Sequence, residues 1–172
     1  MWFGMRSFYV LLFLAFFSGQ VLGEDLLAPP PGVRKLFEFS ADGMQIYRCW
    51  LDEQTGKPPA FGWVFEAPDA TLFDAQQQVA GTHFQGPSWK LKDGSEVSAE
   101  PIAKVDSPQP SSIPWLLLKV TTHQGKGSLD PVQFIRRVDT QGGTEPAEVC
   151  DAAHHNERQR IPYSATYEFF GP

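Results

Sequence analysis

The sequence predicts an all-β fold: a single antiparallel β-barrel or β-sandwich domain of about eight to ten short strands, with one long disulfide-tied loop. Three observations carry this. The 15 prolines and 15 glycines of the 172-residue chain interrupt it too often for long helices. The stretches between them are rich in β-branched and aromatic residues. Several of those stretches alternate apolar with polar side chains, the period of a strand with one buried face.

The chain opens with an address. Arg6 supplies a positive charge, and Phe8 to Phe17 is an unbroken apolar run. Ser18, Gly19 and Gln20 break it, and Val21-Leu22-Gly23 offers compact residues before a cut. This is the three-part layout of a secretory signal peptide, expected to span 1–23. The run is too short for a membrane helix, which needs about 20 apolar residues. Residues 24–172 then form a single all-β domain, with no membrane span after signal cleavage. The expected location is extracellular, or periplasmic in a Gram-negative host.

The strands are read in order. Ala28-Pro-Pro-Pro-Gly32 is an extended lead-in. Lys35–Phe39 and Met44–Leu51, joined by Ala41-Asp42-Gly43, read as a β-hairpin. Gly56-Lys57-Pro58-Pro59 is a loop, and Phe61, Trp63 and Phe65 share one face of a strand. Gln78–Gln85 is a further strand. Trp89–Val97 is a hairpin whose three-residue turn, Lys92-Asp93-Gly94, sets Lys90 opposite Glu96 and Trp89 opposite Val97. Ser107–Pro114 is a loop, Trp115–Thr122 a central strand, and Gly125-Lys126-Gly127 a turn into Val132–Val138. Tyr163–Phe170 closes the chain, with Tyr163, Ala165, Tyr167 and Phe169 on one face. The 24 residues from Asp139 to Pro162 carry no strand signature, and a short helix near Ala147–Ala153 fits there.

Cys49 and Cys150, an even count in an exported chain, read as a disulfide that ties this long stretch down. The rival is a Cys-His nucleophile pair with His83, His123, His154 or His155 as base, which an oxidising compartment disfavours. Asn156, the lone asparagine, is followed by Glu-Arg, so no N-glycosylation sequon is present.

Composition bounds function more than it names it. A net charge of -6 argues against nucleic acid as a partner. No Gly-x-Ser-x-Gly elbow, His-Glu-x-x-His or Gly-x-Gly-x-x-Gly occurs, so no metal and no cofactor is expected. The first expectation is a secreted, non-enzymatic β-domain that binds a small molecule or an extracellular surface. Its ligand-binding candidates are Arg48, His83, Trp89, Trp115 and Arg136. Arg48 and Arg136 each share a strand face with apolar residues, and on an internal face each needs an anion from the protein or from a ligand. The second expectation is a hydrolase-like secreted enzyme with His83 and a carboxylate, Asp93 or Asp74, as its acid-base pair. The third is a structural or adhesive extracellular protein with an exposed apolar patch.

An ordered set of segments also resembles a known family. It includes Pro30-Pro31-Gly32-Val33, Gln45-Ile46-Tyr47-Arg48-Cys49, Trp63-Val64-Phe65-Glu66-Ala67-Pro68 and Ala70-Thr71-Leu72-Phe73-Asp74. Gly81-Thr82-His83-Phe84-Gln85-Gly86-Pro87-Ser88-Trp89, Asp93-Gly94-Ser95 and Ile113-Pro114-Trp115-Leu116-Leu117 follow. Gly125-Lys126-Gly127, Thr140-Gln141-Gly142-Gly143 and Cys150-Asp151-Ala152-Ala153 complete it. The chain is similar in these to domain-of-unknown-function family 3455, exported proteins of bacteria and fungi. The resemblance implies an all-β fold over nearly the whole mature chain and brings no catalytic residues with it.

Overall fold

The computed structural model describes residues 26–52 and 59–172. The predicted leader at 1–23 and positions 56–58 of the predicted loop lie outside the described residues. Eight strands follow one another: β1 (Arg34–Asp52), β2 (Ala60–Phe73), β3 (Val79–Phe84), β4 (Ser88–Leu91), β5 (Glu96–Val105), β6 (Trp115–Gln124), β7 (Phe134–Gly142) and β8 (Arg158–Gly171). Each is antiparallel to the next, and β8 returns to pair with β1, so the sheet closes into an up-and-down barrel. Closure gives every strand a hydrogen-bonded neighbour on each side. An eight-stranded barrel is just wide enough inside for packed side chains or one small ligand.

The predicted hairpin at Trp89–Val97 is present in the predicted register. Trp89 pairs with Val97 and Lys90 with Glu96, and the Lys90 ammonium lies 3.3 Å from the Glu96 carboxylate. Gly94 takes the positive φ of 91° that the three-residue turn demands.

The hairpin predicted within 35–51 is corrected: β1 runs unbroken through Ala41-Asp42-Gly43. Gly43 does not adopt a left-handed φ and makes no turn. Instead the backbone of β2 lies against it at Asp69 and Ala70, where a Cβ has no room. The glycine serves a close approach between neighbouring strands, not a reversal. The long predicted loop is also shorter than expected. β7 extends to Gly142 and β8 begins at Arg158, leaving 143–157 with one 3-10 turn at Ala152–His154.

The inner wall changes character along its axis. The β2–β3, β4–β5 and β6–β7 connections and the chain's C-terminus lie at one end. That end is plugged by Phe37, Phe39 and Phe169, whose ring centroids lie 5.1–5.6 Å apart, with Leu129 and Val132 fully buried. The inward face of β8 is the one the sequence predicts: Tyr163, Ala165, Tyr167 and Phe169 are all buried. At the opposite end lie the connections 85–87, 106–114 and 143–157. There Cys49 of β1 is joined to Cys150 across a sequence separation of 101. The Trp63 indole N–H donates to the Glu148 carbonyl at 2.8 Å and pins the same loop a second time.

Candidate ligand-binding cavity

Between the aromatic plug and the loop-bearing end, the barrel interior holds a cavity of about 640 Å3. Its walls are largely apolar, with Phe65, Pro68, Ile113, Leu116 and Leu118 among them. Its floor is an aromatic cluster. Trp89 is stacked on the His83 imidazole at 4.3 Å between centroids and meets Tyr167 edge-on at 5.5 Å. The polar side chains that reach it are few: Gln45 and Tyr47 from β1, His83 from β3, Arg137 from β7 and Tyr167 from β8, with Gln85, Glu66 and Lys104 among those nearer the exposed end. A concave, mostly apolar space with a few convergent polar groups is the usual form of a small-molecule site.

His83 is buried because β3 places it inward, one pleat from Gly81. Its Nδ1 lies 2.8 Å from the Ser88 carbonyl, which accepts only from an N–H, so Nδ1 carries the proton. In the neutral imidazole Nε2 is left as an acceptor. Burial pushes its pKa down to about 3; the Ser88 carbonyl opposes the shift, and the positive charge of Arg137 adds to it. Tyr163 and Tyr167 have their hydroxyls 3.4 Å apart, and burial raises the pKa of both. The ring of Tyr47 is fixed by its hydroxyl, which donates to the Gly143 carbonyl at 2.6 Å.

Arg137 enters this interior as the one guanidinium of the lining, and its Nε and Nη2 donate to the Pro114 carbonyl at 3.1 and 2.8 Å. The binding residue expected from the sequence is its neighbour Arg136. Arg136 faces the outer wall, where Glu168 supplies the anion it requires, with Nε 2.5 Å from the carboxylate. Trp115 lies beside it in a shallow outer groove with Leu27. Arg48 is likewise on the outer face of β1, its guanidinium 4.3 Å from the centroid of the Trp50 ring. Of the five predicted binding residues, the structure brings together His83 and Trp89. Arg48, Trp115 and Arg136 stay outside the cavity.

The proposed acid-base pairs do not meet. Asp74 caps its own turn at the plugged end, accepting from the backbone of Gln76 and Gln78. Asp93 accepts from Ser95 N, Ser95 Oγ and Ser128 N, tying the β4–β5 turn to the β6–β7 loop. These donors hold its carboxyl well below the usual range. Glu66, the carboxylate that reaches the cavity wall, is bound by both arms of Arg158, which lowers its pKa. His154 pairs with Asp151 at 2.6 Å, and among the described residues no cluster of three metal-ligating side chains forms.

The closed antiparallel wall and the ligand-sized interior define a class: an eight-stranded β-barrel cup with a strapped mouth. The chain belongs to the family described as Protein of unknown function (DUF3455), whose model matches residues 29–171. No curated protein and no solved structure matches it.

Proposed function

We propose that this is a secreted binding protein that holds one small, largely apolar molecule inside its barrel. The cavity of about 640 Å3, walled by apolar side chains and floored by Trp89, His83 and Tyr167, carries the reading. The leader-like N-terminus and the Cys49–Cys150 bridge support an extracellular location. Binding without catalysis fits the chemistry better than hydrolysis does. His83 is a weak base at neutral pH, its partner is a backbone carbonyl, and Asp74 and Asp93 serve turns at the far end.

Native mass spectrometry of the protein purified from its own secretion, disulfide intact, tests this. A non-covalent small-molecule adduct is expected. It should be lost in Leu116→Trp, which puts an indole into the cavity wall. An adduct retained by a folded Leu116→Trp protein, or bare protein from the native source, overturns the reading.

A further inference from the structure

Three outer-wall arginines are each matched to a carboxylate, Arg136 to Glu168, Arg158 to Glu66 and Arg160 to Asp69, while Arg48, also outside, lies over the Trp50 ring. Arg137 differs. Among the described residues no carboxylate pairs with it, and its guanidinium donates to a neutral carbonyl. That carbonyl orients the guanidinium without cancelling its charge. A half-buried cation facing an apolar space is costly unless an anion meets it.

The groups around the same space lean the same way. The Gln45 side chain is buried on the inward face of β1, and its Nε2 has no acceptor among the described residues. The indole Nε1 of Trp89, fully buried, has none either. The two tyrosine hydroxyls lie 3.4 Å apart beside them, the Tyr167 hydroxyl close to Arg137. The interior therefore sets two unpartnered hydrogen-bond donors, Gln45 Nε2 and Trp89 Nε1, in the same lining as Arg137, with the exposed Lys104 nearer the mouth. One guanidinium suits a monoanion with two coplanar oxygens. A phosphate dianion would leave charge uncompensated in an apolar setting.

We infer that the ligand bears a single carboxylate, gripped by Arg137 with Gln45 as a neutral donor, while its apolar body fills the space between Phe65, Leu116 and Leu118. This rests on the reading that the barrel binds a small molecule. The acid is either an acyl chain or an aromatic acid; both present the same head to Arg137.

Matched probes separate these cases. Calorimetric titration of the disulfide-intact protein would use decanoate against 1-decanol, and 2-naphthoate against 2-naphthol. In at least one pair the acid should bind about tenfold or more tightly than its alcohol at neutral pH. The pair showing the preference identifies the skeleton. The advantage should fade as pH falls below the probe acid's own pKa, while alcohol binding holds. Arg137→Gln should erase the preference and keep alcohol binding, and Arg136→Gln on the outer wall should change neither. Should Arg137→Gln fail to fold, Arg137→Lys, which keeps the charge, is expected to retain a reduced preference. Equal affinity for acid and alcohol in the unmodified protein overturns the carboxylate assignment and leaves the cavity reading standing. A preference abolished by Lys104→Gln in place of Arg137→Gln overturns the choice of anchor. No binding of any probe overturns both inferences together.

Discussion

His83 is the residue whose burial has the plainest consequence for stability. In the unfolded chain its imidazole takes up a proton near 6.5, whereas in the barrel it stays neutral until about 3. Between those values unfolding binds a proton that the folded state refuses, so stability rises with pH there. The contribution is fully present above 6.5 and is lost as pH falls toward 3, at up to about 1.4 kcal/mol per pH unit. His83→Asn keeps a donor and removes the titration. Urea melts of both proteins across that window should show the unmodified protein losing stability faster as the solution is acidified. Parallel curves would mean that the imidazole is solvated and the floor of the cavity is open to water. Arg137 gives the complementary case at this scale. Its effect is read through the ligands the cavity takes.

At the scale of elements, the sequence is legible where the deciding contacts are local. The Trp89–Val97 hairpin is specified by its own turn, since Gly94 supplies the positive φ and the pairing of Lys90 with Glu96 fixes the register. β8 is legible because its inner face is aromatic and its outer face polar over most of its length. β1 is not, because Ala41-Asp42-Gly43 has turn chemistry, while a neighbour distant in sequence, the Asp69–Ala70 backbone, decides its role. β7 fails for another reason. Both of its faces carry apolar residues: Ile135 points inward, and Val138 is covered on the outer wall beside Leu27. Alternation then separates Arg136 from Arg137 without saying which is inside. Gln45 and Tyr47 were hidden with the rest of β1's inner face, because the apolar residues Met44, Ile46 and Trp50 mark the outer one. The glycine argument makes a paired prediction. Gly43→Ala drives a Cβ into strand backbone that no rotamer change relieves, and should cost about 1–3 kcal/mol in denaturant melts. Gly62→Ala, with nothing within 4 Å of the new Cβ, should be neutral or slightly stabilising. Equal effects would show that β1 and β2 separate more easily at Gly43 than their approach implies.

At the scale of the whole molecule, the two ends of the barrel do different work. The plugged end supplies the core, with Phe169, Leu129 and Val132 fully buried and Phe37 and Phe39 packed, partly buried, against it. The other end gives up that packing for a cavity and is held by cross-links. The Cys49–Cys150 bridge, the Trp63 to Glu148 hydrogen bond and the backbone pairs of Cys49 with Asn156 and Glu157 fasten the 143–157 segment to β1. Barrel closure itself does not depend on the bridge, because β1 and β8 pair from Arg34–Gly171 to Arg48–Arg158. Replacing both cysteines with serine should therefore act unevenly. Global stability should fall by about 2–5 kcal/mol, the usual cost of losing a disulfide that closes so long a loop. Circular dichroism should keep its β signature at neutral pH. Amide hydrogen exchange should speed up first in the 143–157 segment, while β8 amides paired with β1 exchange only with global unfolding. If the β8 amides exchange as fast as that segment, the bridge holds the barrel closed and not merely its mouth. The two ends would then form one cooperative unit.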